Sequence, residues 1–257
     1  MVQASMTRVE EPAVRHIASV ERAVAVLDAL AQSQSDLGTN EIARRTRINA
    51  SSVSRLLATL ARKGLVAQVA ETGRYRLGLR LLELGNAALS RVDIRDTARP
   101  HLDELASFTG ETATLSVPGE REAITMDFVE SLSSVQSVAR LGRPSVAHAT
   151  AIGKVLLAYG GKLPESPLSA YTERTITDRR KLAEEVARTA ERGWAQAVGE
   201  REVDLNALAA PIIGGQGELK GVLGVQGPAG RFGRQAMRSA LKPLLSSATA
   251  LSGSWTE

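Results

Sequence analysis

Nine cationic side chains stand between residues 44 and 80 of this chain against a single acid, an imbalance whose chemistry is the binding of a polyanion. Arg44, Arg45, Arg47, Arg55, Arg62, Lys63, Arg74, Arg76 and Arg80 face Glu71 alone. Arginine is the informative choice, because its planar fork donates two parallel N–H bonds to a phosphate or to the edge of a guanine. The expected partner of this segment is double-stranded DNA.

Elsewhere the residues offer little for catalysis. The 257 residues include no cysteine, which removes disulfides, thiolate nucleophiles and cysteine-ligated zinc and suits a reducing compartment. His101 and His148, the histidines outside the N-terminal arm, lie in no metal-binding spacing. Glu200, Glu202 and Asp204 could carry acid–base or metal chemistry, yet alternating acids also make an ordinary solvated edge. Ala151-Ile152-Gly153-Lys154 lacks the earlier glycine of a phosphate-binding loop. Without a nucleophile–base pair or a ligand set, neither an enzyme nor a cofactor nor a metal is expected, and His148 is expected to make a structural hydrogen bond.

Charge separates two halves. Residues 1–91 hold 13 Lys and Arg against 8 Asp and Glu, whereas residues 92–257 hold 19 against 20. A chain of this length with 43% apolar residues can build two cores. It has no run of 18 apolar residues and no apolar leader at its start, so a cytoplasmic protein without a membrane partner is expected.

The cations must be carried on ordered elements. From Ser19, a candidate cap, Val20, Val24, Leu27 and Ala31 recur at helical spacing. Thr39 or Asn40 can cap a short second helix through Thr46, and Asn49 caps a third from Ala50 to about Lys63, where Gly64 ends it. In that third helix Val53, Leu56, Leu57 and Leu60 form one stripe for burial. The opposite face carries Ser51, Arg55, Ala58 and Arg62, flanked by Ser52, Ser54 and Thr59; it suits a DNA major groove, and would also serve as a plain solvated face. Leu65 to Val69, the turn Glu71-Thr72-Gly73 and Arg74 to Leu77 follow as a hairpin with arginine outward. Three helices and such a wing favour a winged helix-turn-helix.

These residues resemble the IclR-type transcriptional regulators. The likeness is carried by Ser19-Val20-Glu21-Arg22-Ala23, Glu41-Ile42-Ala43-Arg44-Arg45-Thr46, Ser51-Ser52-Val53-Ser54-Arg55-Leu56-Leu57 and Glu71-Thr72-Gly73-Arg74-Tyr75-Arg76-Leu77-Gly78. It continues in His148-Ala149-Thr150-Ala151-Ile152-Gly153-Lys154 and Leu208-Ala209-Ala210-Pro211, in the right order. The expected organisation is a loose arm over residues 1–16, a winged helix-turn-helix over 17–78, a linker helix over 79–92 and, over 93–257, an α+β effector-binding domain similar to GAF domains. Leu81, Leu82, Leu84 and Leu89 make the linker too apolar to stand alone. The resemblance implies that it pairs two chains, while packing on its own domain is the alternative. A homodimer, able to pair further into a tetramer, would read a near-palindromic operator. The DNA contacts would come from Arg44, Arg45, Asn49, Ser51, Ser52, Ser54, Arg55, Thr59, Arg62, Arg74 and Arg76.

In the second half, helices are expected at Ile94 to Leu105, Thr150 to Tyr159, Asp178 to Arg192 and Arg234 to Leu251. Strands are expected at Thr112 to Val117, Ala123 to Val129, Val135 to Ala139, Leu205 to Ile213 and Leu219 to Val225. With Thr150 as a helix cap, the amides of Ala151 and Ile152 would be free to hold a carboxylate. The resemblance places Ala197, Ala207, Gly224 and Gln226 in the effector pocket, where relatives carry more polar side chains at the first three positions. Small residues there predict room for an acid larger and more apolar than a two- or three-carbon keto acid, such as an aromatic or other catabolic carboxylate. Gln226 would orient its hydroxyl or carbonyl. The expected function is a ligand-controlled DNA-binding regulator, a repressor rather than an activator. The competing reading is an enzyme or metabolite-binding protein that its basic half docks on nucleic acid.

Overall fold

A computed structural model describes residues 17–89, 94–119, 122–133, 139–142 and 144–254. The chain divides into two compact units, Met1–Arg91 and Val92–Glu257. No helix among the described residues is long and apolar enough to cross a membrane.

The first unit runs α1 (Ala18–Ala31), α2 (Thr39–Thr46), α3 (Ala50–Arg62), β1 (Val66–Gln68), β2 (Tyr75–Leu77) and α4 (Arg80–Leu89). Its core joins Val26 and Leu30 of α1, Ile42 of α2, the α3 stripe Val53, Leu57 and Leu60, and Leu37 and Val66. Asn49 caps α3, its Oδ1 accepting from the Ser52 amide at 2.8 Å. Arg47, at φ 57°, turns the chain left-handed between α2 and α3, and Gly64, at φ 72°, does so after α3. The hairpin is fastened by a bridge between Leu37 and Tyr75.

The caps and the packing of the first helices need tertiary context. Ile17 and Gly38, not Ser19 or Thr39, hold the N-cap positions of α1 and α2, and neither cap has a side-chain bond. Helix α1 begins two residues early and α2 one, which leaves those hydroxyl residues inside the first turn. More consequentially, α1 buries Val26, Ala29 and Leu30 and leaves Val20 and Val24 56% and 49% exposed. The helix carries two apolar stripes, and packing against α2 and α3 uses only one.

The second unit contains α5 (Ile94–Thr109), β3 (Thr112–Pro118), β4 (Ala123–Val129), β5 (Pro144–Ser145), α6 (Ala151–Ala158), α7 (Arg179–Arg192), β6 (Ala195–Val198), β7 (Leu205–Ile213), β8 (Leu219–Pro228) and α8 (Arg234–Ser254). The strands form one antiparallel sheet in the order β5-β4-β3-β8-β7-β6. Ile152, Val155 and Leu156 of α6 pack on Ala195, Ala197, Ala209 and Val222 of one sheet face, and α7 backs α6 through Leu182. Alternate residues such as Leu208 point to the other face, where α8 lies with α5 against it. The strand expected over Val135 to Ala139 falls outside the described residues except at its last position. Strand β6 was not anticipated, because Ala-Gln-Ala-Val is short and carries weak strand propensity. Helix α7 buries Leu182 and Thr189.

Candidate functional site

On the first unit, Arg44, Arg45, Asn49, Ser51, Ser54, Arg55, Thr59, Arg62, Arg74 and Arg76 are exposed, and Ser52 is half-buried. They are not equivalent in their freedom. Asn49 is occupied as the α3 cap and also accepts from the Ser51 hydroxyl at 2.9 Å. The Thr59 hydroxyl bonds back to the Arg55 carbonyl at 2.9 Å. Arg74 is engaged as well, donating to the Glu41 carboxylate at 2.6 Å and to the Asp36 carbonyl at 2.7 Å, so it lashes the hairpin to α2. Arg55, Arg62 and Arg76 make no ion pair among the described residues and keep their donors for an incoming anion.

On the second unit, the first turn of α6 lies over the sheet and closes a cavity. Thr150 Oγ1 accepts from the Gly153 amide at 3.0 Å, and the Thr150 carbonyl accepts from Lys154 at 3.0 Å. The amides of Ala151 and Ile152 find no acceptor among the described residues, as the start of a helix leaves them. Gly153 is glycine because α6 starts in contact with the preceding turn: a Cβ there would meet Ala147 Cα and the Val146 carbonyl at 2.5 Å. The floor follows from register, since Ala197 pairs with Ala207 and Ala207 with Gln226 across β6, β7 and β8.

The cavity measures about 80 Å³, where one water needs roughly 10–15 Å³ by the same measure, so it can hold a ligand of many atoms. Of the residues assigned to the effector pocket, Ile152, Ala197, Ala207 and Gln226 line this cavity. Ala151 and Gly224 do not: the Ala151 side chain is buried in the α6 core and only its amide is on offer. Gly224 adds no room, because a Cβ there would lie 2.6 Å from Thr114 Oγ1 and 3.3 Å from Ile152 Cδ1, which already fill the space. Its smallness lets those two side chains close on the floor.

A family profile described as the bacterial transcriptional regulator IclR C-terminal domain matches residues 86–253, and the IclR helix-turn-helix domain matches residues 19–70. The chain belongs to the IclR family. It is a helix-turn-helix transcriptional regulator of two α+β-organised domains. It is 34% identical over 202 residues to the HTH-type transcriptional regulator XynR of Escherichia coli, spanning 76% of this chain and 80% of XynR. An IclR regulator solved from Silicibacter sp. TM1040 matches with a TM-score of 0.81 and 27% identity, covering 92% of this chain and 95% of that one. An IclR homolog from Microbacterium hydrocarbonoxydans, solved with 4-hydroxybenzoate, shares the fold at a TM-score of 0.70 and 24% identity, over 90% and 99% of the two chains.

The IclR fold also brings residues to the cavity that sequence reasoning missed. Thr114, Thr125, Arg140 and Arg201 line it, and Thr114 Oγ1 is buried without a hydrogen-bond partner. No local signal marks them, since they converge only through strand order and loop return. Glu200 fits neither reading of the three alternating acids, for it is buried and its carboxylate takes Lys154 Nζ at 2.6 Å. Burial pushes the Glu200 carboxyl up from its ordinary range, against the pull of Lys154. His148 makes a structural bond, its Nε2 lying 2.9 Å from the Ser169 carbonyl.

Proposed function

We propose that this IclR-family regulator is a dimeric repressor that releases its operator when a small organic acid enters the second-unit cavity. The observation that carries the reading is the cavity itself: unpaired amides of Ala151 and Ile152 at the start of α6, over a floor of Ala197, Ala207 and Gln226. A carboxylate fits the helix start, where N–H groups and the helix dipole both favour negative charge. The small, apolar floor suits a ring better than it suits a keto acid of two or three carbons, and Gln226 can donate to or accept from a ring substituent. Two arginines, Arg140 and Arg201, line the cavity with a single acid, Glu202, a balance that favours an anion. The Microbacterium homolog solved with 4-hydroxybenzoate supports an aromatic acid as a cargo this fold can hold.

For DNA, the exposed α3 face bearing Ser51, Ser54, Arg55 and Arg62 enters the major groove, and Arg76 of the hairpin meets a phosphate. Dimer formation is supported by apolar side chains that the first unit leaves unburied, Val20 and Val24 on α1 and Leu79, Leu82 and Leu84 around α4. Thermal unfolding with a panel of carboxylates tests the effector, since a ligand at 100 times its Kd stabilises the fold by about 2.7 kcal/mol. Stabilisation by benzoate or 4-hydroxybenzoate and not by pyruvate or glyoxylate is the expected result. The reverse order would overturn the aromatic assignment.

A further inference from the structure

We infer a second ligand site on the opposite face of the sheet from the cavity, specific for a small aromatic acid that bears an O–H or N–H donor remote from its carboxylate. A groove of about 370 Å³ lies between β6, β7 and the first half of α8, within the range of about 300–1,000 Å³ typical of small-molecule sites. Trp194, Leu208, Met237 and Leu241 supply apolar walls. The Trp194 ring is held in place from outside: the Arg192 guanidinium stacks 4.1 Å from its centre, and Arg192 is itself fixed by the Trp194 carbonyl at 2.6 Å and by Glu185 at 2.8 Å.

Polar groups around these walls select the ligand. Arg234 and Arg238, one helical turn apart at the start of α8, line the groove; no acid lines it, and neither arginine has an ion-pair partner among the described residues. They hold the carboxylate. Asn206 is 5% exposed, and its Nδ2 donates to the Phe232 carbonyl at 2.9 Å, which settles the direction of the amide. Its Oδ1 is left buried with no donor. Such an acceptor costs free energy that an incoming donor recovers. Arginine pair, ring-sized apolar walls and orphaned acceptor together define an aromatic acid with a distal donor.

The site stands apart from the proposed effector cavity. Alternation along β6 and β7 sends Asn206 and Leu208 into the groove and Ala197 and Ala207 into the cavity, so the two share strands but no lining residue.

Trp194 reports directly on the groove once the other tryptophan, Trp255, is replaced by phenylalanine in the full chain. In that background 4-hydroxyphenylacetate should change Trp194 emission saturably, and should still do so when Ala207→Phe fills the cavity. Phenylacetate, without the donor, and 2-(4-hydroxyphenyl)ethanol, without the acid, should each bind about tenfold more weakly. Replacing the exposed pair, Arg234→Gln with Arg238→Gln, should weaken the acid by about tenfold or more and leave the alcohol unchanged; these surface positions decide the matter even if Ala207→Phe fails to fold. The inference is overturned by the absence of a saturable change, by equal affinity in the arginine variant, or by loss of the signal with a folded Ala207→Phe chain. A signal that follows protein concentration instead of ligand would likewise overturn it, marking the groove as a contact between copies.

Discussion

Lys154 donates to Glu200 at 2.6 Å across 46 positions of sequence, and both side chains are buried. The pair joins helix α6, whose first turn roofs the cavity, to the loop that brings Arg201 and Glu202 to the cavity wall. Lys154 also donates to the Gln196 carbonyl at 3.0 Å, while Thr175 and Thr172 hold the carbonyls of Glu200 and Gly199 at 2.6 and 2.7 Å. Roof and wall are therefore joined by one set of hydrogen bonds.

Breaking that pair on one side should cost more than removing it whole. Lys154→Met leaves a buried carboxylate uncompensated and should cost about 3–5 kcal/mol, whereas Lys154→Met with Glu200→Leu should recover most of the loss. Urea unfolding of the two variants checks this, and a double variant as unstable as the single one would contradict it.

The same carboxylate sets a pH dependence. Burial raises its folded pKa above the unfolded value, so its contribution to stability is fully present below the ordinary carboxylate range and is lost as pH rises through the raised value. The stability of wild type relative to Glu200→Gln should accordingly fall as pH climbs out of the acid range. Unfolding curves at a series of pH values that show the difference growing with pH would refute it.

The arginines of the first unit should separate into three classes. Arg55→Ala should weaken operator binding by about 1–3 kcal/mol and leave scrambled DNA little affected. Arg76→Ala should weaken all sequences alike and lower the salt slope by about one. Arg74→Ala, whose side chain is already committed to Glu41 and Asp36, should loosen the hairpin without removing a full unit of salt slope. Binding isotherms across a salt series distinguish the three, and an Arg74 variant that behaves like Arg76 would show that its ion pair opens on DNA.

Much of this was legible in the sequence because periodicity reports which face is buried when a helix has only one apolar stripe. Helix α3 is such a case, and Asn49, Gly64 and Thr150 mark their helix ends by local chemistry that needs no tertiary context. Helix α1 is the contrary case: with two stripes, spacing alone could not choose between Val20 and Val24 on one side and Val26 and Leu30 on the other. Cavity residues were legible only where the family pattern reached them. Thr114 and Arg201 belong to segments separated by 87 positions, and only strand order and loop return bring them together. Glu200 and Glu202 looked alike as alternating acids, yet Lys154, 46 positions away, makes one of them a core residue.

The exposed apolar side chains of α1 and α4 should form an interface. Val24→Glu and Leu82→Glu, at positions 49% and 62% exposed, should leave the fold intact and shift the protein to monomer. Operator affinity should fall by about 10²-fold or more as the second half-site contact ceases to be intramolecular. Sedimentation equilibrium that finds both variants still dimeric would rule these faces out.

Gly153→Ala should be costly despite adding a single methyl, because the atoms it meets at 2.5 Å belong to backbone. A loss of about 1–3 kcal/mol is expected, accompanied by weaker carboxylate binding as the start of α6 is displaced. Thermal melts with and without benzoate measure both effects; unchanged stability would mean the turn before α6 yields freely.

Fluorescence anisotropy of the intact protein on its own upstream intergenic duplex and on a scrambled duplex, at one fixed salt concentration, tests the central claim most directly. A ligand-controlled repressor should prefer its own sequence by about 10³-fold or more, and benzoate or 4-hydroxybenzoate should erode that preference. Equal affinity for the two duplexes, indifferent to any carboxylate, would contradict the account.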